Sequence, residues 1–359
     1  MSSTTAKTTT FAAPTDAGSG DCTSPGDVPA LDPTRVATLM SRGVKITAIE
    51  PLGANVTGVN FRELDKVSPE VVELLQQEMS RRGFLVFKDQ GVLSGDEQVA
   101  ASELWGGREI HSTHGVHPKA PNDHIFRLSN DRNHGILGVG PQWHNDGSFL
   151  PAIFSHVGYH IIKVPEGSGA TYFAHQGAAF DRLSPEEQVR WSNFVSVNSN
   201  GGVLHPMVHK HPISGRKSIY LHLGMTGAIL EVLPEAAEGK QLRLLEENEM
   251  QTVFNRYNDL LNAGEKDGYT LAYHYEEGDM VVIDNLAIAH RAAPEAHQST
   301  EQQGLRILHR TTVKGMINFT PPFGLPPVLD IMGRNPLGQG VWEGGGTGFV
   351  WKEGIRLQN

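Results

Sequence analysis

Gln142-Trp143-His144-Asn145-Asp146-Gly147 is the sharpest local feature of this 359-residue chain. Residues two apart on a strand project to the same face, so His144 and Asp146 could hold one ion together. With a further histidine from elsewhere they would form two histidines and a carboxylate, the facial triad of non-haem Fe(II) oxygenases, which leaves positions open for small molecules. A bare H-x-D recurs by chance in a chain with 17 histidines, so partners must be sought downstream. His290 follows the strand-like MVVIDNLAIA, and sixteen residues later comes Arg306-Ile307-Leu308-His309-Arg310. On a strand Arg306, Leu308 and Arg310 share one face, the two guanidinium roots separated by roughly 13 Å at ~3.3 Å per residue. A buried arginine needs an anion, and its planar fork suits a carboxylate. Two inward arginines beside a metal suggest two small anions bound together; the bland alternative is that both pair with surface acids.

These residues need a scaffold of strands. VKITAIEPLGANVTGVNF (44–61) alternates apolar and polar residues around glycines, which predicts two short strands. Ser68-Pro69 supplies an N-cap and a first-turn proline, Val71, Leu75 and Met79 fall on one helical face, and Gly83 is a natural stop. Phe84–Phe87 reads as a buried strand and 96–105 as a second helix. Strand-like pieces at 154–162, 170–174 and 195–197 follow, with a helix over 184–194, where Ser184 and Glu187 have capping-box spacing. A further helix is expected around Pro234 to Leu261. GDMVVIDNLAIAHRA and GLRILHRTTVKG read as turn-led strands, while HGILGVG (134–140) has the glycines to line a pocket mouth. Many short strands with inserted helices fit a mainly β jelly roll better than a parallel α/β sheet.

Composition narrows the function classes. Forty acids against 30 bases give a net charge of −10, which argues against nucleic acid or an anionic membrane as the main partner. The single cysteine, Cys22, excludes a disulfide scaffold and a cysteine zinc site. No G-x-S-x-G elbow supports serine hydrolysis, and no glycine-rich phosphate loop supports nucleotide binding. Residues 1–31 read as a disordered tail without a signal-peptide core, 32–315 as one domain and 316–359 as a Gly- and Pro-rich extension, with a cytoplasmic location as the default. His205, His209 and His211 form the main rival cluster. No carboxylate or cysteine accompanies them in LHPMVHKHP and two prolines break it, so it reads as a solvated loop. His156, His160 and His175 read as core residues, and Trp143 and Phe149 as pocket walls or core.

Taken in series, ITAIEPLGANVTGVNF, RRGFLVFKDQ, WGGREIH, WHNDGSF, GSGATYFA, HRA and RILHRTTVKG resemble the taurine dioxygenase-like (TauD/TfdA) family of Fe(II)- and 2-oxoglutarate-dependent dioxygenases. The likeness runs from about Lys45 to Gly315. It implies a double-stranded β-helix (jelly roll) with flanking helices, His144, Asp146 and His290 as iron ligands, and Thr171 and Arg306 on the far carboxylate of 2-oxoglutarate. It further implies Arg310 and His111 on the substrate side. The reaction implied consumes O2 and 2-oxoglutarate, releases succinate and CO2, and oxidises a small anionic substrate such as an amino acid, carboxylate or sulfonate. Hydroxylation is the family's commonest outcome; desaturation or ring closure of an amino-acid-derived metabolite is the alternative. Asp146 argues against halogenation, since relatives that halogenate carry a small residue there. Between His290 and Arg306 the segment EAHQSTEQQG reads as an inserted loop. Relatives are often dimers or tetramers, so a homo-oligomer is a further expectation. A metal- or acid-binding jelly roll without turnover is the reading from another class, and the completeness of the triad and both arginines stands against it.

Overall fold

A computed structural model of the chain describes residues 33–109, 115–137, 140–167, 169–199, 202–233 and 241–315, excepting the side chains of 109, 241 and 242. Helix α1 (Pro33–Ser41) leads into the two expected short strands, β1 (Lys45–Ala48) and β2 (Ala54–Thr57), which pair antiparallel. Helix α2 (Pro69–Arg82) begins where the Ser68 side chain accepts the Val71 N–H and ends at Gly83, whose φ of +88° suits glycine. Strand β3 (Phe84–Phe87) is buried throughout, and α3 (Gly95–Glu103) opens on a capping box of Ser94 and Glu97. Strands β4 (Arg108–Glu109), β5 (Phe126–Ser129), β6 (His156–Lys163) and β7 (Thr171–His175) follow. Two helices come next, α4 (Gln176–Asp181) and α5 (Pro185–Trp191), the latter with the anticipated Ser184–Glu187 capping box.

Strands β8 (Phe194–Asn198), β9 (Leu204–Pro206), β10 (Val208–Lys210), β11 (Lys217–Ile219) and β12 (Thr226–Leu233) carry the chain to the segment expected to be one long helix. That expectation is corrected. Residues 234–240 lie outside the described residues, and Gln241–Leu244 is a strand, β13, which pairs with β12 so that Leu244 stands opposite Leu230. The sheet edge captures these residues, and the helix α6 (Glu247–Asp267) starts only after Glu246, which forms a capping box with Glu249. Gly268 in the left-handed conformation ends it. Strands β14 (Thr270–Tyr273), β15 (Met280–Asp284) and β16 (Ile288–Ala292), a 3-10 turn at Pro294–His297, α7 (Thr300–Gln303) and β17 (Ile307–Val313) complete the described chain. The segment read as an inserted loop thus forms two short helical turns.

The large sheet runs β1-β2-β3-β15-β6-β17-β4, with β5 also on β17. The strands β14-β7-β16 form the facing sheet, and β13-β12-β8-β9 and the β10-β11 hairpin extend the scaffold. Together they make a jelly roll. Alternation along β15 sends Met280 and Val282 into a cluster with α2 on one face, and Val281 and Ile283 into the space between the sheets on the other. Phe84, Tyr159, Phe173 and Ile288 fill that inner space, the Phe84 and Phe173 rings lying 4.6 Å apart. Phe173→Ala should therefore cost roughly 3–5 kcal/mol of stability. Urea unfolding measures it; a loss well under 1 kcal/mol would mean the inter-sheet layer does not pack as a rigid core.

Candidate active site

The two histidines on either side of the proposed centre are joined through their main chains. His144 donates its N–H to the His290 carbonyl at 3.0 Å and accepts the His290 N–H at 2.9 Å, an isolated antiparallel bridge. Asp146 follows two residues later in a turn, not on the strand the sequence suggested, and ligand atoms of His144, Asp146 and His290 all lie within 4.8 Å of one another. All three side chains are buried. The His144 Nδ1 stands 2.7 Å from the Gln142 carbonyl, to which a protonated Nδ1 donates, leaving the Nε2 lone pair to face its neighbours. Burial is the main cause that pushes both imidazoles below their ordinary range, His290 to about 3, so both are neutral. Gly140 belongs to this packing: a Cβ there would sit 2.4 Å from the His144 ring, so the HGILGVG segment ends against the site as its glycines suggested.

Two asparagines stitch the Asp146 loop to the turn between β15 and β16. The Asn285 Oδ1 accepts the Asp146 N–H at 2.9 Å, and its Nδ2 donates to the Asp146 and Phe154 carbonyls, both at 2.8 Å. Asn145 answers from the other side, donating to the carbonyls of Asn285 and Ile288 and to Gln176 at 2.7, 2.9 and 3.0 Å. Gln176 in turn donates to Asn145 and to the Tyr257 hydroxyl. Neither asparagine was singled out from the sequence.

Both arginines are buried, Arg306 at 4% exposure and Arg310 at 7%. Neither pairs with a surface acid. Arg310, within β17, puts Nη1 at 2.9 and 3.0 Å from the two Asp146 oxygens, while Nε and Nη2 are buried without a hydrogen-bond partner. Its guanidinium lies 4.7 Å from the centre of the Phe126 ring. Arg306 stands just before the strand, where the β17–β6 register shifts between Ile307 and Leu308. Its Nε donates to the Gly169 carbonyl at 3.2 Å, and a Cβ on Gly169 would come within 2.9 Å of the arginine Cδ. Thr171 is buried at the start of β7, opposite Ala292, while Phe173 on the same strand stands opposite His290. His111 lies outside the described residues. Two groups had no sequence signal: the Tyr159 hydroxyl, 2.9 Å from the His290 Nε2, and the His222 ring, 5.0 Å from that of His144.

The rival histidine cluster is not a solvated loop. His205, His209 and His211 are all buried, and a carboxylate does accompany them: His211 Nε2 lies 3.0 Å from Asp284. The fold brings that acid from the end of β15, which local sequence could not show. His205 faces the Ser148 carbonyl and His209 the Leu286 carbonyl, at 2.9 and 3.1 Å, so these imidazoles brace the loops behind the site. His156, His160 and His175 are buried as expected, His175 capping α4 by accepting the Gly177 and Ala178 N–H groups. Trp143 packs in the core, its Nε1–H on Asn262 and the Arg291 guanidinium over its ring.

Residues 45–312 match the family described as Taurine catabolism dioxygenase TauD, TfdA. Among curated proteins, the Pentalenolactone F synthase of Streptomyces arenae is 26% identical over 295 residues, covering 71% of this chain and 91% of that protein. The alpha-ketoglutarate-dependent sulfonate dioxygenase of Saccharomyces cerevisiae is 24% identical over 290 residues, covering 74% of this chain and 66% of that protein. Among solved structures, an alpha-ketoglutarate-dependent taurine dioxygenase described from Burkholderia xenovorans superposes with a TM-score of 0.61 at 18% identity, over 76% of this chain and 90% of that one. Among the described residues no helix is long and apolar enough to cross a membrane.

The buried histidines fix the acid sensitivity of the fold. Burial first, and neighbouring charge second, lowers His175 and His209 to about 3 in the folded state, and burial lowers His205 to about 4. An unfolded chain takes up those protons near the ordinary value of about 6.5, so stability falls as pH drops from there toward the folded values. Asp284 is held at about 2 by His211 against the opposing effect of burial, which adds a further loss below about pH 4. The urea midpoint should therefore be clearly lower at about pH 5 than at about pH 7.5. Equal midpoints would mean that these imidazoles are not held neutral.

Proposed function

The chain belongs to the taurine catabolism dioxygenase TauD, TfdA family, and on that premise we propose that it is an Fe(II)- and 2-oxoglutarate-dependent dioxygenase that hydroxylates a small anionic substrate and releases succinate and CO2. The observation that carries this reading is the convergence of His144, Asp146 and His290 beside two buried arginines. Two neutral imidazoles and one carboxylate suit a divalent iron, and His144, Asp146 and His290 would hold it. When bound, iron with 2-oxoglutarate and O2 supplies the oxidising power for attack on an unactivated C–H bond. The protein's part is to bind, orient and exclude water.

Arg306 and Thr171 would fix the distal carboxylate of 2-oxoglutarate. Arg310 Nε and Nη2, which have no hydrogen-bond partner among the described residues, suit the acidic group of the substrate. His111 is assigned to the substrate side as well. Charge supports a pair of anions: within the site one carboxylate stands against two guanidiniums, and a divalent cation adds to the positive excess. The similarity to a sulfonate dioxygenase is compatible with an acidic substrate, and desaturation or ring closure of an amino-acid-derived metabolite is the second reading.

Succinate formation from 2-oxoglutarate in the presence of Fe(II) and O2 tests the reading. Asp146→Ala should abolish it in a folded protein, and undiminished turnover would sink the ligand assignment. Arg306→Ala should raise the apparent KM for 2-oxoglutarate by roughly 10- to 100-fold, the worth of a hydrogen bond to a charged group remote from the reacting carbon. An unchanged KM would place the carboxylate clamp elsewhere. Mass analysis of the product separates the outcomes: hydroxylation adds an oxygen atom, whereas desaturation or ring closure removes two hydrogens.

A further inference from the structure

Of the two histidines, only His144 has its non-coordinating nitrogen tied down. Its Nδ1 meets the Gln142 carbonyl, whereas the Nδ1 of His290 is buried without a partner. The His290 Nε2, the nitrogen directed at the site, instead shares a 2.9 Å hydrogen bond with the Tyr159 hydroxyl. Tyr159 comes from the middle of β6, is 5% exposed, and is fixed by packing among Val157, Ile161 and Phe173. Tyr159 also stands directly opposite Arg310 in the β6–β17 register, so one residue adjoins both His290 and the arginine strand.

With its proton on Nδ1, the His290 imidazole accepts the hydroxyl at Nε2, and a cation on Nε2 needs that same lone pair, so the two exclude each other. We propose that Tyr159 is a positioning residue whose hydroxyl competes with the metal for His290 and, once displaced, donates to the carboxylate of bound 2-oxoglutarate. The hydroxyl therefore acts against metal binding and for co-substrate binding. This inference rests on the dioxygenase reading of the same site.

Opposite signs make it testable without turnover. Calorimetry under anaerobic conditions would measure Mn(II) binding to the full chain, and then 2-oxoglutarate binding to the Mn(II)-loaded protein. Tyr159→Phe removes only the hydroxyl, and Tyr159→Leu removes it with the ring while keeping an apolar filler. In both variants Mn(II) affinity should rise roughly two- to tenfold and 2-oxoglutarate affinity should fall by a similar factor, the range expected for one net hydrogen bond. A merely structural role would weaken both. Mn(II) affinity that does not rise, or 2-oxoglutarate affinity that does not fall, in Tyr159→Phe overturns the proposal. A wild-type protein that binds neither Mn(II) nor 2-oxoglutarate would instead overturn the reading of the site itself.

Discussion

A carboxylate buried at 5% exposure is tolerated only when opposite charge and hydrogen bonds replace the water it has lost, because stripping an ion of its hydration costs several kcal/mol. Asp146 meets that condition through Arg310, whose Nη1 reaches both carboxylate oxygens. The pairing joins three parts of the fold: the loop after Trp143, the middle of β17, and through Asn285 the turn after β15. A jelly roll serves this purpose because its two sheets bring sequence-distant residues to one interior. The His144–Asp146 motif and the arginine segment near 310 meet there without any local contact in sequence.

Precision at the site comes from main-chain hydrogen bonds more than from side-chain packing. The reciprocal N–H to carbonyl bonds between His144 and His290 set the separation of the two imidazoles at their roots. Asn145 and Asn285 then lock the same two segments together a second time, each satisfying carbonyls that would otherwise be buried without a donor. Such reciprocity leaves little freedom for the intervening Asp146. Rigid elements supporting a polar site in this way suit chemistry in which small displacements of the reacting groups are costly.

Much of this was legible in residue order. Alternation gave the short strands, Ser68 and Ser184 announced their helices, and the H-x-D motif singled out His144 and Asp146, which meet through an isolated bridge and a turn instead of a strand face. What stayed hidden depended on tertiary contact. Asp284 stands 73 residues beyond His211, so a histidine-rich stretch with prolines looked solvated while its buried acid partner was out of view. The residues 241–244 join a sheet edge that their own sequence does not disclose, which overrode the helical expectation there. Tyr159 carries no signal at all, because a buried aromatic on a central strand looks like core until its hydroxyl is seen on a histidine. Histidine abundance misled in a related way. Beyond the triad, His175, His205 and His209 serve as neutral buried donors and acceptors that cap a helix and brace loops.

The charge of the site also implies an order of events. With the histidines neutral, Asp146 is balanced by Arg310 while Arg306 has no carboxylate among its hydrogen-bond partners, so the inner residues carry positive excess. Asp146 would be shared between Arg310 and a divalent cation held by His144, Asp146 and His290, and that cation would raise the excess further. Both effects strengthen the demand for anions, one for each guanidinium. Since interactions among buried charges are weakly screened, binding of cation, co-substrate and acidic substrate should be mutually reinforcing rather than independent. Each anion bound would offset part of the positive excess that the buried guanidiniums create.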